Sequence, residues 1–200
     1  MNLKHANSFS GLAALIRDLP PSAGSTTVVA IDGCGGAGKS TFASALAQAL
    51  ENCPVIHTDD FASWDQPLDW WPRLLDQVLS PLSRFEPAHY QRYDWETRCL
   101  AEWHQVLSPI AVIEGVTSAR REFRPYLAYC IWIECPHALR LRRGLERDGV
   151  SREDQWRIWM TDEYRYIAEH RPLDVADLVV DGSVWWTEGK FGPILLHEVE

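Results

Sequence analysis

Val28-Val-Ala-Ile-Asp-Gly-Cys-Gly-Gly-Ala-Gly-Lys-Ser-Thr41 passes from an apolar run through a glycine-rich turn into a helix start. Gly33, Gly38, Lys39 and Ser40 fit G-x-x-x-x-G-K-[ST]. In this motif backbone N–H groups and a lysine cradle nucleotide phosphates, while the hydroxyl binds Mg²⁺. Gly35, Gly36 and Ala37 fill the turn, where larger side chains would block the approach, and Thr41 follows Ser40 into the helix. The helix that begins near Lys39 points its positive end at the same anion.

The flanks supply the strand and helix that the motif requires. Val28 to Asp32 reads as a fully buried strand, and Ser40 to Leu50 as an alanine-rich helix with Phe42, Leu46 and Leu50 four residues apart. Before them, Ser8 to Leu19 carries Leu12, Leu15, Ile16 and Leu19 at helical spacing, and Pro20-Pro21 ends it. Pro54 to His57 is a second strand, followed by Thr58-Asp59-Asp60-Phe61; Ile110 to Glu114, Tyr129 to Glu134 and Leu178 to Asp181 are three more. Between them, Trp70 to Leu82 reads as a helix, Pro87 to Trp95 as a polar aromatic loop, and Glu96 to Leu107 as another helix. Strands alternating with helices predict a three-layer α/β fold of the P-loop NTPase type, a mainly parallel five-stranded sheet with helices on both faces. Ligands then gather beyond the carboxyl ends of the strands. Asp32, Asp59, Glu114 and Glu134 share that rim.

A chain of 200 residues, 46% hydrophobic, suits one domain with one sizeable core. Residues 1–24 form a lead-in helix and linker, 28–181 the core, and 182–200 a C-terminal extension. The formal charge of −9 argues against nucleic acid or an anionic membrane as partner. With no membrane-length apolar run and no apolar core at the N-terminus, the expected location is the cytoplasm. The five cysteines are scattered, without the spacing of a metal or redox motif. Ten tryptophans fit either an aromatic substrate pocket or plain core packing. Trp185-Trp186 in the extension could pack on the core or meet a second copy in a homodimer.

Phosphoryl transfer further requires a metal ligand and a group that orients or deprotonates the acceptor. Asp59 ends the second strand, where its carboxylate can face the γ-phosphate and take a proton; Asp60 is the neighbour expected to point away. Glu114, before Gly115, can hold water on Mg²⁺ or a substrate hydroxyl. Arg140, Arg143 and Arg147 share one helical face and suit the charge of a transferring phosphoryl group, as well as a solvated, ion-paired surface. The loop containing His89, Arg92 and Tyr93 reads as an acceptor-binding segment, or as structural packing. His57, on an apolar strand, reads as a satisfied core histidine.

In order, Ile31-Asp-Gly with Gly38-Lys-Ser-Thr41, Asp59-Asp-Phe61, Tyr93-Asp-Trp95, Glu114-Gly115, Arg143 to Asp148 and Ala176-Asp-Leu-Val-Val180 resemble the uridine kinase family, within the group that includes phosphoribulokinase and bacterial pantothenate kinase. The resemblance runs from about Val28 to Asp181. It implies that Asp59 matches the family's catalytic base, that Asp65 in Trp64-Asp-Gln-Pro67 matches a ribose-hydroxyl ligand, and that Tyr93-Asp94-Trp95 matches the loop beside the base pocket. Where the family has a pyrimidine-contacting histidine, this chain has Glu96-Thr97-Arg98-Cys99, and its arginine lid is one residue longer.

The function expected is transfer of the γ-phosphoryl of ATP, with Mg²⁺, to a hydroxyl of a nucleoside or another small polar metabolite. Lys39, Asp59, Arg143 and Arg147 would be catalytic. Gly33, Gly35, Gly36, Ala37, Gly38, Lys39, Ser40, Thr41 and Arg140 would hold the nucleotide. Asp65, Arg92, Tyr93 and Glu114 would hold the acceptor, and Ser40, Asp59 and Glu114 the metal, partly through water. The competing expectation is a nucleotide-binding regulator or weak NTPase.

Overall fold

The computed structural model describes residues 7–62, 70–184, 191 and 193–194. In chain order, its elements begin with α1 (Phe9–Arg17), β1 (Thr27–Asp32), α2 (Lys39–Ala49) and β2 (Val55–His57). Then come α3 (Trp71–Leu74) and α4 (Ser80–Ser83), joined by a π-helical turn over Leu75–Leu79, followed by β3 (Ala88–Asp94), β4 (Cys99–Val106) and β5 (Ile110–Glu114). The chain continues through β6 (Tyr129–Glu134), α5 (His137–Asp148), α6 (Glu153–His170), β7 (Leu178–Asp181) and β8 (Pro193–Ile194).

All six residues of β1 are buried, as a central strand covered on both faces requires. Val29 and Ile31 point into one core layer with Leu12, Ile16, Phe42 and Leu46. Val28 points into the other, with Phe61, Trp70, Leu74 and Phe123. That alternation is the period of two of a strand. The sheet order is β2-β5-β1-β6-β7-β8, and the five strands from β2 to β7 run parallel. The expected five-stranded parallel sheet is present; β8 adds a short antiparallel edge. Because the parallel strands share a direction, Asp32, His57, Glu114, Glu134 and Asp181 all sit at one end of the sheet.

α1 is more than a lead-in. Ser8 caps it by accepting from Gly11 N at 3.2 Å, and its stripe of Phe9, Leu12, Leu15 and Ile16 is buried. Phe9 packs on Phe42 at 4.9 Å between ring centroids and on Phe191 at 5.2 Å. Trp185 and Trp186 lie outside the described residues.

The stretch from 87 to 107 differs from its sequence reading. In place of a loop and a helix it forms an antiparallel hairpin, β3 on β4, paired from Ala88↔Val106 to Asp94↔Cys99. Its turn is closed by the Asp94 carboxylate, which accepts from Glu96 N at 2.8 Å and Thr97 N at 2.9 Å. Asp at the head of a turn is a local signal for this, but β4 is exposed along most of its length. A strand with no buried face carries no period-two pattern. Among the described residues no helix is long and apolar enough to cross a membrane.

Candidate active site

The loop from Gly33 to Gly38 joins β1 to α2. Gly38, the cap of α2, has φ of 101°, a left-handed conformation that favours glycine. A Cβ on Gly36 would stand 2.5 Å from Arg140 O, so the loop meets the first turn of α5 backbone to backbone. Lys39 is buried, and its ammonium reaches back across the loop to donate to Cys34 O at 3.0 Å. A positive charge is thereby held inside a ring of backbone amides at a helix N-terminus, which is the chemistry of an anion site.

Facing it is an acidic edge. Glu114, at the end of β5, accepts from the Ser40 hydroxyl at 3.1 Å and lies 2.5 Å from His57 Nδ1 through the same oxygen. Burial pushes the Glu114 carboxyl up, but the His57 hydrogen bond, the Lys39 charge and the Ser40 bond outweigh it, and the net shift is downward. His57 is therefore not a core histidine: its ring is half exposed, and the bond to Glu114 raises its pKa. Asp59 and Asp60 diverge as expected. Asp60 accepts from the Tyr90 hydroxyl at 3.2 Å, whereas Asp59 lines the central cavity. Water reaches Asp59 through that cavity, yet protein encloses it. Enclosure, with Glu114 nearby, pushes its carboxyl above the usual aspartate range, against the opposing charges of Lys39, His57 and Arg147.

The arginine row divides. Arg143 lines the cavity and donates to Gly182 O at 2.7 Å. Arg147 also lines it, pairing with Asp148 at 2.7 Å and lying over the Trp156 ring at 5.7 Å. Arg140 is not among the residues that line the cavity. It is buried, bonded to Cys135 O at 3.1 Å and to Glu163 at 2.9 Å. Glu163 in turn accepts from Gly35 N at 2.6 Å, so Arg140 braces the loop from behind. Helical spacing alone put three guanidinium groups on one face; the packing of α6 against α5 separates them.

The cavity has a volume of about 440 Å³. It brings together Gly35, Gly36, Gly38, Lys39, Ser40 and Thr41 of the loop with Asp59, Glu114, Arg143 and Arg147. Gly33 and Ala37 are not among the lining residues. Gly33 N is bonded to Asp32 Oδ1 at 2.7 Å, and Ala37 is buried with its N–H on Cys34 O at 3.2 Å. Arg92 and Tyr93 also fall elsewhere: Arg92 pairs with Glu102 across the hairpin at 3.2 Å, and Tyr93 packs edge-on against Trp95 at 5.3 Å. Asp65 lies outside the described residues. The hairpin side contributes Trp95, whose indole N–H donates to Asp59 O at 3.2 Å. Trp156, Trp159 and Glu163 of α6 complete the wall with Trp70, and the α6 residues escaped the sequence reading. Their spacing is that of any amphipathic helix, and only the fold shows what that face meets.

Asp32, on the same rim, is fully engaged in structure. It accepts from Gly33 N, from Thr117 N at 3.1 Å, from Ala119 N at 2.9 Å and from the Tyr166 hydroxyl. The Ser40 hydroxyl and the Glu114 and Asp59 carboxylates offer the hard oxygens that Mg²⁺ selects. Among the described residues no group of three or more His, Cys, Asp or Glu side chains is placed to hold a metal alone. This donor set fits an ion that shares its ligands with phosphate and water.

No protein-family model matches the chain, and no curated protein matches it in sequence. Solved structures do. The protein from Bacillus stearothermophilus described as "a Possible Uridine Kinase" is 24% identical, with a TM-score of 0.63 over 86% of this chain and 96% of that one. The "putative fructose transport system kinase" from Silicibacter sp. TM1040 is 21% identical, with a TM-score of 0.58 over the same shares. The chain has the three-layer P-loop fold of these two kinase-named structures.

Proposed function

We propose that this chain is an ATP-dependent small-molecule kinase that phosphorylates a hydroxyl. The observation that carries the reading is the placement of the Asp59 carboxylate in one cavity with Lys39, Ser40 and the loop amides. A raised pKa makes a carboxylate a better proton acceptor. In the step proposed, the acceptor O–H gives its proton to Asp59 and its oxygen bonds to the γ-phosphorus. The bond from that phosphorus to the β–γ bridging oxygen breaks, and ADP leaves with the electron pair.

Lys39 and the loop amides hold the phosphates, and Arg143 and Arg147 neutralise charge on the transferring group. Mg²⁺, held by Ser40 and through water by Glu114 and Asp59, would supply further charge neutralisation. Arg140 keeps the loop in place instead of touching the nucleotide. Kinase names on two structures of the same fold are in keeping with this reading.

The test measures ATP consumption with and without a panel of nucleosides, aromatic alcohols, sugars and pantothenate, with mass detection of the product. Acceptor-dependent turnover giving a phosphorylated product supports the kinase. Turnover that ignores every acceptor overturns it in favour of a nucleotide-binding regulator or weak NTPase.

A further inference from the structure

His57 and Glu114 are register partners in the parallel pair of β2 and β5, so their side chains leave the sheet on the same face. The preceding partners, Ile56 and Ile113, point into the core layer of Phe61 and Trp70. One residue further on, His57 and Glu114 emerge on the opposite face, the one that α2 covers. Ser40 stands in the first turn of α2, and its hydroxyl donates to Glu114 Oε1 at 3.1 Å. His57 Nδ1 lies 2.5 Å from that same oxygen.

An ionised carboxylate only accepts, so Nδ1 carries the proton and donates it. Among the described residues both protein hydrogen bonds to Glu114 fall on Oε1, and Oε2 takes none. Ser40 and Glu114 line the cavity, whereas His57 is not among its lining residues. Packing does not account for His57 either, since its ring is half exposed and belongs to neither core layer. Its close contact with the site is Glu114. A hydroxyl that binds a cation must direct its proton away from it, and Glu114 Oε1 receives the proton of Ser40. Whatever fixes Glu114 therefore also fixes which way the Ser40 oxygen is turned.

We infer that His57 is a positioning residue of the nucleotide-bound Mg²⁺ site: its Nδ1–H pins Glu114 Oε1, leaving Oε2 and the Ser40 oxygen lone pairs to the cation and its water. The inference rests on the nucleotide and Mg²⁺ part of the proposed function, and on neither the acceptor nor the transfer step. His57 stands behind a carboxylate as the partners of metal ligands commonly do, and loss of such a partner costs about 10- to 100-fold in metal affinity.

The experiment is calorimetric titration of the full chain with ADP at one fixed pH, once with saturating Mg²⁺ and once with EDTA, with urea unfolding in parallel. The wild type should bind ADP more tightly with Mg²⁺. His57→Ala should weaken binding of ADP with Mg²⁺ about tenfold or more and leave binding in EDTA nearly unchanged. His57→Asn places an amide N–H where Nδ1 stood and should restore most of the Mg²⁺ response. His57→Gln carries the same amide on a longer stem, past that position, and should respond as His57→Ala does. The Asn and Gln variants keep the test decisive if the alanine variant unfolds. A wild type indifferent to Mg²⁺, a His57→Ala variant with the wild-type Mg²⁺ response whatever its stability, equal losses with Mg²⁺ and EDTA, or Asn and Gln variants that behave alike would each overturn the assignment. A Mg²⁺ response that depends on His57 in a chain whose turnover ignores every acceptor leaves the assignment standing and counts against the kinase. Acceptor phosphorylation by a His57→Ala variant with the wild-type Mg²⁺ response does the reverse.

Discussion

Arg140 Nη1 lies 2.9 Å from Glu163 Oε2, and both side chains are almost fully buried. Through its other oxygen Glu163 holds Gly35 N at 2.6 Å, so this ion pair joins α5 and α6 to the phosphate loop. Breaking a buried pair from one side strands a charge and costs about 3–5 kcal/mol. Glu163→Ala should therefore lower stability by about that much in urea unfolding and weaken ADP binding. In Arg140→Met/Glu163→Leu no charge is stranded, so most of the stability should return. Nucleotide affinity should not, because Gly35 N still lacks its acceptor. Equal recovery of both would show the pair to be only structural.

Asp59 connects stability with activity. A carboxyl whose pKa is raised by folding binds protons more tightly in the folded state, so it favours the fold at low pH and loses that contribution as pH rises through the folded value. Asp59→Asn removes this ionisation. Its melting temperature should exceed the wild type's at pH 8, with the gap closing as pH falls below the ordinary aspartate range. Cavity water screens the charge, so the gain is below about 1 kcal/mol, or at most about 2–4 °C for this size. The same variant should bind ATP and lose transfer. In the wild type, the acid limb of the transfer rate should fall above the pH at which an ordinary aspartate titrates. Transfer at the wild-type rate in Asp59→Asn would rule out Asp59 as the base.

The loop, the parallel sheet and the divergence of Asp59 and Asp60 were legible because each rests on local signals: glycine spacing, apolar runs ending in acids, and adjacent side chains that diverge on an extended or tightly turned backbone. The hairpin was not, since β4 buries too little to show alternation. Arg140 was misplaced for a related reason. Spacing gives the face of a helix, but a partner helix decides which part of that face is covered. Tryptophan abundance left pocket and core both open, and the structure uses both: Trp70 and Trp156 are almost fully buried while also lining the cavity.

Gly144 sets the distance between α5 and α6. A Cβ there would stand 2.3 Å from Trp156 Cζ2 and 2.4 Å from Cε2, and Trp156 is held between its bond to Asp148 and the core. Gly144→Ala should cost about 1–3 kcal/mol by overpacking, despite the better helix propensity of alanine. The displaced indole also borders Asp59's cavity, so acceptor KM should rise more than nucleotide KM. A neutral or stabilising Gly144→Ala, measured by thermal unfolding, would show that the helices can separate without strain.

Arg147 and Arg140, seven residues apart on α5, should respond to truncation in opposite ways. The Arg147 side chain is 68% exposed and paired with Asp148 at the surface, a pairing worth about 0–1 kcal/mol. Arg147→Ala should leave the melting temperature nearly unchanged. If its guanidinium closes over the transferring phosphoryl group, kcat should fall by about 10³-fold or more, the scale of a cation that acts on transition-state charge. Arg140→Ala should do the converse, lowering stability by the cost of a stranded Glu163 and reducing activity only through loop order. Adding guanidinium ion to both variants separates the two roles. It can restore transfer in Arg147→Ala by entering the open cavity, whereas the buried site left by Arg140 admits no such rescue. Rescue of Arg140→Ala with no effect on Arg147→Ala would reverse the assignment of the two arginines.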